Sequence, residues 1–540
     1  SIKEDERRLL SEKEINDGIR LACFIEPESD IQIDIVDQEK NHKVLTEGYL
    51  PDFHINPAIW KKTINIEKPT LEDPIPYEEL FKRELDLEEV NWNILKNLKM
   101  ESGLFTAIYN EDKLIGLETG DTTEEIYGVA VDIGTTTVVA SLIDLNTGEE
   151  IDSEAEINPQ KNFGQDVLTR ITYVIENGDN GTVELQKAIV GLLNKMLNRI
   201  CQRQNLDKNR IYEMSVAANS TMMHMLLGVE SISLGKSPYA QIFSESKDIR
   251  AVDIGIDSMS SFARLNTLPS VSSYIGPDIV AGVYVADLQN TDKKVLFIDI
   301  GTNGEIVLSN GGKLVSCSCA AGPALEGMNI SSGMRASDGA IEDMRIYEDE
   351  IDLEVIGNTK AVGLCGSGIL AAIREMFACG LINERGNIIK PDNLEAEDFR
   401  QKYIIVENNK RAIQITEDIK ITQGDIRQVQ LAKSAILSGF IALVKYVGLN
   451  ISDLDEVIVA GQFGAHLPVE SLVGTGILPK DVDKKIRYIG NSSKTGAYLS
   501  LMSLDARKEM KDLAKQIDYM ELSVSEGYER LFIESSRFKI

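Results

Sequence analysis

Cysteine and histidine are scarce in this chain: 540 residues carry 6 cysteines and 4 histidines. So few cysteines exclude a disulfide scaffold and read as reduced, cytosolic thiols. The histidines, His42, His54, His224 and His466, have no metal-ligand spacing among them, which argues against a zinc site. Positive charge is in deficit as well. Lys and Arg number 56 against 86 Asp and Glu, a formal net charge of −30. A surface that acidic repels nucleic-acid phosphates and anionic lipid, so neither nucleic acid nor a membrane surface is an expected partner. No uninterrupted apolar run approaches the roughly 20 residues that span a bilayer. Ser1 to Glu12 is too charged for a secretory signal, and a cytoplasmic location is expected. What is present is ordinary globular composition, 43% hydrophobic and 26% charged, which excludes disorder, collagen and coiled coil for the bulk of the chain.

The organisation changes along the chain. Glu12 to Cys23 reads as a short charged helix or turn, and Ile31, Ile33 and Ile35 alternate with Gln32 and Asp34 as a half-buried strand. That is too little sequence for its own core. Lys68 to Pro76 holds three prolines in nine residues and reads as extended linker, with 41–76 as the linker region. Residues 77–126 suit a small mixed α/β unit. From Tyr127 onward, glycine-rich strands alternate with long helices, as in a large α/β domain. Two amphipathic helices stand out. One runs over 183–201, with Leu185, Ile189, Leu192, Leu193, Met196 and Ile200 on one face. The other runs over about 428–447, with Val429, Ile436, Phe440, Leu443 and Val447. Both read as core packing.

The chemistry concentrates in glycine-rich strand–turn segments. In YGVAVDIGTTTVVASLI (127–143) an apolar strand carries Asp132, turns at Gly134 and the threonines Thr135, Thr136 and Thr137, and returns as a second strand. Such a turn presents amides and hydroxyls to phosphate oxygens, with a carboxylate beside them suited to hydrated Mg²⁺. A plain Asp-Gly hairpin is the simpler alternative. The pattern recurs in VLFIDIGTNGEIV (295–307), with Asp299, Gly301, Thr302, Asn303 and Glu305. Two Asp-Ile-Gly-Thr turns 167 residues apart point to an internal duplication whose hairpins face one ligand, a nucleotide triphosphate with its Mg²⁺. A third element, VIVAGQFG (457–464), follows an apolar strand with Gly461, Gln462, Phe463 and Gly464, against which adenosine can lie. GLCGSG (363–368), with Gly366 and Ser367, precedes a helix expected to start near Ile369. It is either an anion site at the helix N-terminus or a tight strand–helix connection.

Two such hairpins followed by a glycine-rich adenosine loop resemble the actin, sugar kinase and Hsp70 superfamily. More closely, seven strings resemble the ATP-dependent reductive activators of corrinoid proteins, the group that includes O-demethylase activating enzymes and the activator of the corrinoid iron-sulfur protein. They are VAVDIGTTTVVASLIDLNTG (129–148), NPQKNFGQDVLTRI (158–171), ANSTMMHMLLG (218–228), FIDIGTNGEI (297–306), AAGPALEGMNISSGMRA (320–336), GLCGSG (363–368) and VAGQFGAHL (459–467). The resemblance implies an α/β fold with a two-lobed actin-like (ASKHA) ATPase domain over 127–540, preceded by the small unit. It implies ATP and Mg²⁺ as cofactors, a corrinoid protein and an electron donor as partners, and a homodimer. The implied reaction returns cobalt(II) to cobalt(I). The family's electron carrier is a plant-type 2Fe–2S domain with three clustered cysteines and a fourth later. Arg20-Leu21-Ala22-Cys23 looks like its fourth-ligand segment, while the next cysteine is Cys201. Residues 1–40 are therefore expected to be the end of a ferredoxin domain, and the cluster to exist only in a longer chain.

Within this reading Asp132 and Asp299 organise Mg²⁺ through water, Gly134–Thr137 and Gly301–Asn303 cradle phosphates, and Glu305 either orients the attacking water or accepts a structural hydrogen bond. Cys317 and Cys319 precede Ala320-Ala321-Gly322, a setting similar to the cluster ligand of the activators of 2-hydroxyacyl-CoA dehydratases and benzoyl-CoA reductase. Two small buried thiols are the simpler reading. A small-molecule kinase on the same fold, and a nucleotide-dependent binding module without turnover, are the remaining alternatives.

Overall fold

The computed structural model describes residues 49–98, 103–348, 350–395, 397–407, 410–461 and 467–538. The expected ferredoxin remnant with Cys23 lies outside the described residues, as do Gln462, Phe463, Gly464 and His466.

The small unit is a three-stranded antiparallel sheet of β1 (Ile59–Asn65), β2 (Leu104–Asn110) and β3 (Lys113–Thr119). Helices α1 (Tyr77–Leu85) and α2 (Trp92–Asn97) pack Phe81 and Ile94 against Ile64, Phe105 and Leu117. Strand β1 corrects the linker expectation for 41–76. Its sequence, IWKKTIN, hides the strand because two lysines interrupt the apolar pattern. The Lys61 side chain is only 1% exposed and reaches Glu118 at 3.3 Å. Its ammonium also donates to Tyr212 Oη at 2.8 Å in the neighbouring lobe, while burial lowers its pKa to about 8. Such a pairing leaves no local signature. Residues 66–76, with the three prolines, form no regular element.

The first lobe is a six-stranded sheet ordered β6-β5-β4-β7-β9-β8. A meander of β4 (Tyr127–Ile133), β5 (Thr137–Asp144) and β6 (Glu150–Ile157) lies on one side, and β7 (Ile211–Ala218) runs parallel to β4 on the other. Then come β8 (Asp248–Arg250) and β9 (Arg264–Thr267), the latter parallel to β7. Its helices are α3 (Val167–Asn177), α4 (Asp179–Gln204), α5 (Ser220–Leu227) and α6 (Pro277–Val285). Helix α4 buries Leu185, Ile189, Leu193, Met196 and Ile200 as its periodicity implies. It begins four residues earlier than expected, directly after Gly178, whose φ of 58° ends α3.

The second lobe repeats the plan. The meander is β10 (Lys294–Ile300), β11 (Gly304–Asn310) and β12 (Lys313–Cys319). Between β12 and the next long helix lie β13 (Ala340–Ile346), β14 (Ile351–Val355), β15 (Gly363–Leu364), α7 (Gly366–Ala378), β16 (Ile404–Glu407), β17 (Lys410–Gln414) and β18 (Lys420–Thr422), with the strands in two small sheets. Helix α8 (Gln423–Tyr446) follows a Thr422–Asp425 capping box. It is long and apolar enough to cross a bilayer, yet 72% of its most apolar window is buried inside the protein. There Val429, Ile436, Phe440 and Leu443 join the lobe's core. Strand β19 (Glu456–Ala460) runs parallel to β10, helix α9 (Val469–Gly474) follows, and β20 (Ile486–Gly490) runs parallel to β19. The order β12-β11-β10-β19-β20 matches β6-β5-β4-β7-β9 strand for strand, with the same parallel and antiparallel pairings. Helix α10 (Ser492–Met502) then leaves the second sheet, buried along its whole length, and packs on β4 and α6 of the first lobe.

Candidate functional site

Both hairpins turn toward one cleft between the lobes. Ile133 pairs with Val138 across the first turn and Ile300 with Gly304 across the second, which leaves Gly134–Thr137 and Gly301–Asn303 as the connecting residues. All of these line a cavity of about 130 Å³, together with Asp132, Asp278, Asp299, Glu305, Glu326 and Gly461. The motifs identified in the sequence, 167 residues apart, therefore converge as expected.

The geometry narrows what each turn residue can do. Gly134 spends its own N–H on Thr137 O and Gly301 spends its N–H on Asn303 O, each at 2.9 Å. Neither glycine amide is left to cradle a phosphate. The N–H groups of Thr135, Thr136, Thr302 and Asn303 have no acceptor among the described residues, and these four residues line the cavity. The first turn is braced from behind, where Arg170 donates to Thr135 O at 2.6 Å and Asn219, the N-cap of α5, donates to Thr135 Oγ at 3.1 Å.

The acids have unequal surroundings. Asp132 accepts from Asn491 at 2.9 Å and Ser493 at 2.7 Å, both at the start of α10. Burial raises its pKa, while these two donors and Lys494 work the other way. Asp299 is pushed up to about 7 by burial and then by the charge of Asp132. Asp278, in the first turn of α6, is pushed up to about 8 by burial, Asp299 and Asp132. Glu305 is raised well above its ordinary value by burial, Asp278 and Asp299, against a weak hydrogen bond from Ser318 at 3.4 Å. Gly461 has a φ of +92°, and a methyl group there would stand 2.5 Å from Asp299 Oδ1, so only glycine lets the end of β19 approach this acid.

Among the described residues no Lys or Arg lines this cavity, although five carboxylates do. Such a cluster suits a cation that neutralises both it and an incoming polyphosphate. Among the described residues no three acidic, thiol or imidazole groups converge closely enough to ligate a metal directly. The donor set therefore fits a hydrated Mg²⁺ shared with phosphate oxygens.

Gly366 and Ser367 lie apart from the tightest part of the cleft. They open α7, which starts at Gly366 rather than near Ile369, and they line a neighbouring cavity of about 410 Å³. That cavity shares Thr136, Thr137 and Glu326 with the cleft. Cys317 and Cys319 are buried on β12, with burial driving both thiols up, and Cys319 donates to Gly304 O at 2.9 Å. His224 is structural: it stacks on Phe243, and its ring nitrogens engage Ser220 O and Ile242 N.

Sequence reasoning missed Asp278, Glu326, Asn219, Asn491 and Ser493. The Pro277-Asp278 start of α6 is a recognisable helix N-terminus, where an acid suits the dipole. Nothing local ties it to Asp299. Asn491 and Ser493 act on an acid 359 and 361 residues away.

Comparison with known proteins agrees with this construction. Residues 127–291 match the family model described as RACo middle region, and 293–539 match that of the C-terminal domain of RACo, the ASKHA domain. A corrinoid activation enzyme, RamQ, of Eubacterium limosum is 35% identical over 421 residues, 76% of this chain and 70% of its own. The chain belongs to the family of reductive activators of corrinoid proteins. A second relative of this activator is a Methanosarcina barkeri reductase of a Co(II) methylated amine-specific corrinoid protein, 25% identical and 76% covered on both sides. A solved structure titled reductive activator for corrinoid, iron-sulfur protein superposes with a TM-score of 0.80 at 32% identity, covering 98% of this activator and 89% of that chain. The actin-like fold of the activator is thus shown by family and by structure.

Proposed function

We propose that this activator binds Mg-ATP in the interlobe cleft and couples its binding or hydrolysis to the reduction of a corrinoid protein from cobalt(II) to cobalt(I). The observation that carries the reading is the convergence of two duplicated phosphate turns on one carboxylate-lined cleft in a chain 35% identical to a corrinoid activation enzyme. The amides of Thr135, Thr136, Thr302 and Asn303 receive phosphate oxygens. Asp132 and Asp299 hold a hydrated Mg²⁺, which supplies charge neutralisation when bound. Asp278, pushed up to about 8, and Glu305, raised well above its ordinary value by burial and the neighbouring acids, are the groups placed to take up the proton released by an attacking water. The turns belong to separate lobes, so a ligand touching both favours the approach of the lobes, and that movement is the means by which nucleotide acts on the partner.

A plant-type 2Fe–2S cluster needs four thiolates. The described cysteines do not fit one: Cys201, Cys317, Cys319 and Cys365 are buried singly or in the core, and Cys379 is half-buried. No electron-transfer step is assigned to them. The electron comes from a donor of low potential outside the described residues, and a homodimer is the expected assembly. The rival reading, an activator with a subunit-bridging cluster at Cys317 and Cys319, meets two thiols 0% and 3% exposed, too deep for a shared ligand site.

The test is visible spectroscopy of candidate corrinoid proteins with full-length activator, Mg-ATP and a reductant. The cobalt(I) spectrum should appear with the wild type and fail with Asp299→Asn. Phosphorylation of a metabolite, with no cobalt(I) from any corrinoid protein, would replace this reading with a kinase.

A further inference from the structure

One side chain joins the two turns, and no motif assigns it a role. Glu326 lies in the single helical turn Pro323–Glu326 that follows β12, and it is 4% exposed. Its carboxylate oxygens accept hydrogen bonds from different lobes. Thr136 Oγ donates to one at 2.9 Å and Thr302 Oγ donates to the other at 2.5 Å. Burial raises the pKa of Glu326, while the two threonine hydroxyls and the charge of Arg335, which lines the adjoining cavity with it, work the other way and favour the carboxylate.

An ionised carboxylate only accepts, and a threonine hydroxyl has a single proton. Both threonines therefore spend their proton on Glu326. Toward the cleft each then offers lone pairs alone, which repel phosphate oxygens but suit a cation or its water shell. We propose that Glu326 is a positioning residue that ties the two phosphate turns together and, by taking both hydroxyl protons, turns Thr136 and Thr302 into acceptors for the hydrated metal, leaving phosphate recognition to backbone N–H groups. This rests on the Mg-ATP reading of the cleft and assigns the basis of its selectivity for metal-bound over free nucleotide. Without Glu326 the hydroxyls swing free, can donate to phosphate, and lose their preference for the cation. The same loss unties the lobes.

Calorimetric binding of ATP to the full chain, with Mg²⁺ and with a chelator, tests this. Wild type should bind Mg-ATP far more tightly than free ATP. Glu326→Gln keeps the shape, but its amide can take only one of the two protons. It should cut that affinity ratio about tenfold, the effect of one hydrogen bond to a charged group. In a Thr136→Val/Thr302→Val background there is no proton left to take, so Glu326→Gln should change the ratio less than twofold. Should the double variant fold poorly by thermal melting, Thr302→Val alone should still remove about half of the effect. An unchanged ratio in Glu326→Gln, or an undiminished effect in the valine background, overturns the assignment while leaving the nucleotide cleft intact. Failure of the wild type to bind Mg-ATP overturns the cleft reading and this assignment with it.

Discussion

The two hairpins share a strand order, a turn glycine and an aspartate, yet they hold their acids in opposite ways. Asp132 stands across its hairpin from Val139 and is clasped by Asn491 and Ser493. Asp299 stands across from Glu305, a second carboxylate on the same face, and abuts Gly461. Like charges directly opposite on neighbouring strands are destabilising. One copy therefore holds its acid with donors that oppose the effect of burial, and the other sets two acids face to face. Duplication supplied the frame, and divergence of the surroundings separated the roles, as when two carboxylates in one site are driven apart by environment.

The sharpest way to break this comparison is to neutralise each acid in turn. Asp299→Asn should lower phosphate release by roughly 10²-fold, because it removes one of the two charges proposed to organise the metal. Asp132→Asn should cost less, since Asn491 and Ser493 remain to hold the side chain. Steady-state hydrolysis that falls further in Asp132→Asn would reverse the assignment.

Glu305→Gln probes the residue that has no counterpart in the first hairpin. Hydrolysis should fall roughly tenfold, while the thermal midpoint rises as the cross-strand repulsion is relieved. Unchanged hydrolysis removes Glu305 from the reaction and leaves it a structural acceptor for Ser318.

Gly461→Ala tests the close approach on the Asp299 side. At φ +92°, with the added methyl 2.5 Å from Asp299 Oδ1, it should cost roughly 1–3 kcal/mol of stability and weaken Mg-ATP binding. Denaturant midpoints and calorimetry give both numbers. A silent substitution would mean that Asp299 has room to spare.

The smallest effect is a pH slope. Asp278 and Asp299 rise from an ordinary value of 3.8 to about 8 and about 7. The folded chain thus binds more protons than the unfolded chain between about pH 4 and 8, and its stability should fall as pH rises through that window. Asp278→Asn or added Mg²⁺ should flatten the decline in thermal midpoint. A stability that climbs from pH 5 to 8 and ignores both would remove the repulsion inferred among these acids.

Much of the frame was legible because it is written locally. Continuous apolar runs ending in Asp-Ile-Gly-Thr mark β4 and β10, and 3.6-residue periodicity marks α4 and α8. Where the pattern is broken, the reading failed. Strand β1 carries Lys61, whose partners Glu118 and Tyr212 come from elsewhere in the chain. Helix α7 starts at Gly366, earlier than expected, and its first turn packs tightly on β13, where a methyl at Gly368 would meet Ile341 O at 2.0 Å.

By itself the sequence determined the fold class, the duplication, the turns that line the cleft and the family, since these rest on short-range patterns that repeat. Only the tertiary structure decided which acids share a cavity, which of them is clasped, and which side chain bridges the lobes. Those outcomes depend on burial, which raises proton affinity where charges are crowded away from water. They also depend on contacts between residues as far apart as Asp132 and Ser493, or Thr136 and Glu326. Spacing along the chain holds no trace of such contacts until the lobes have folded together.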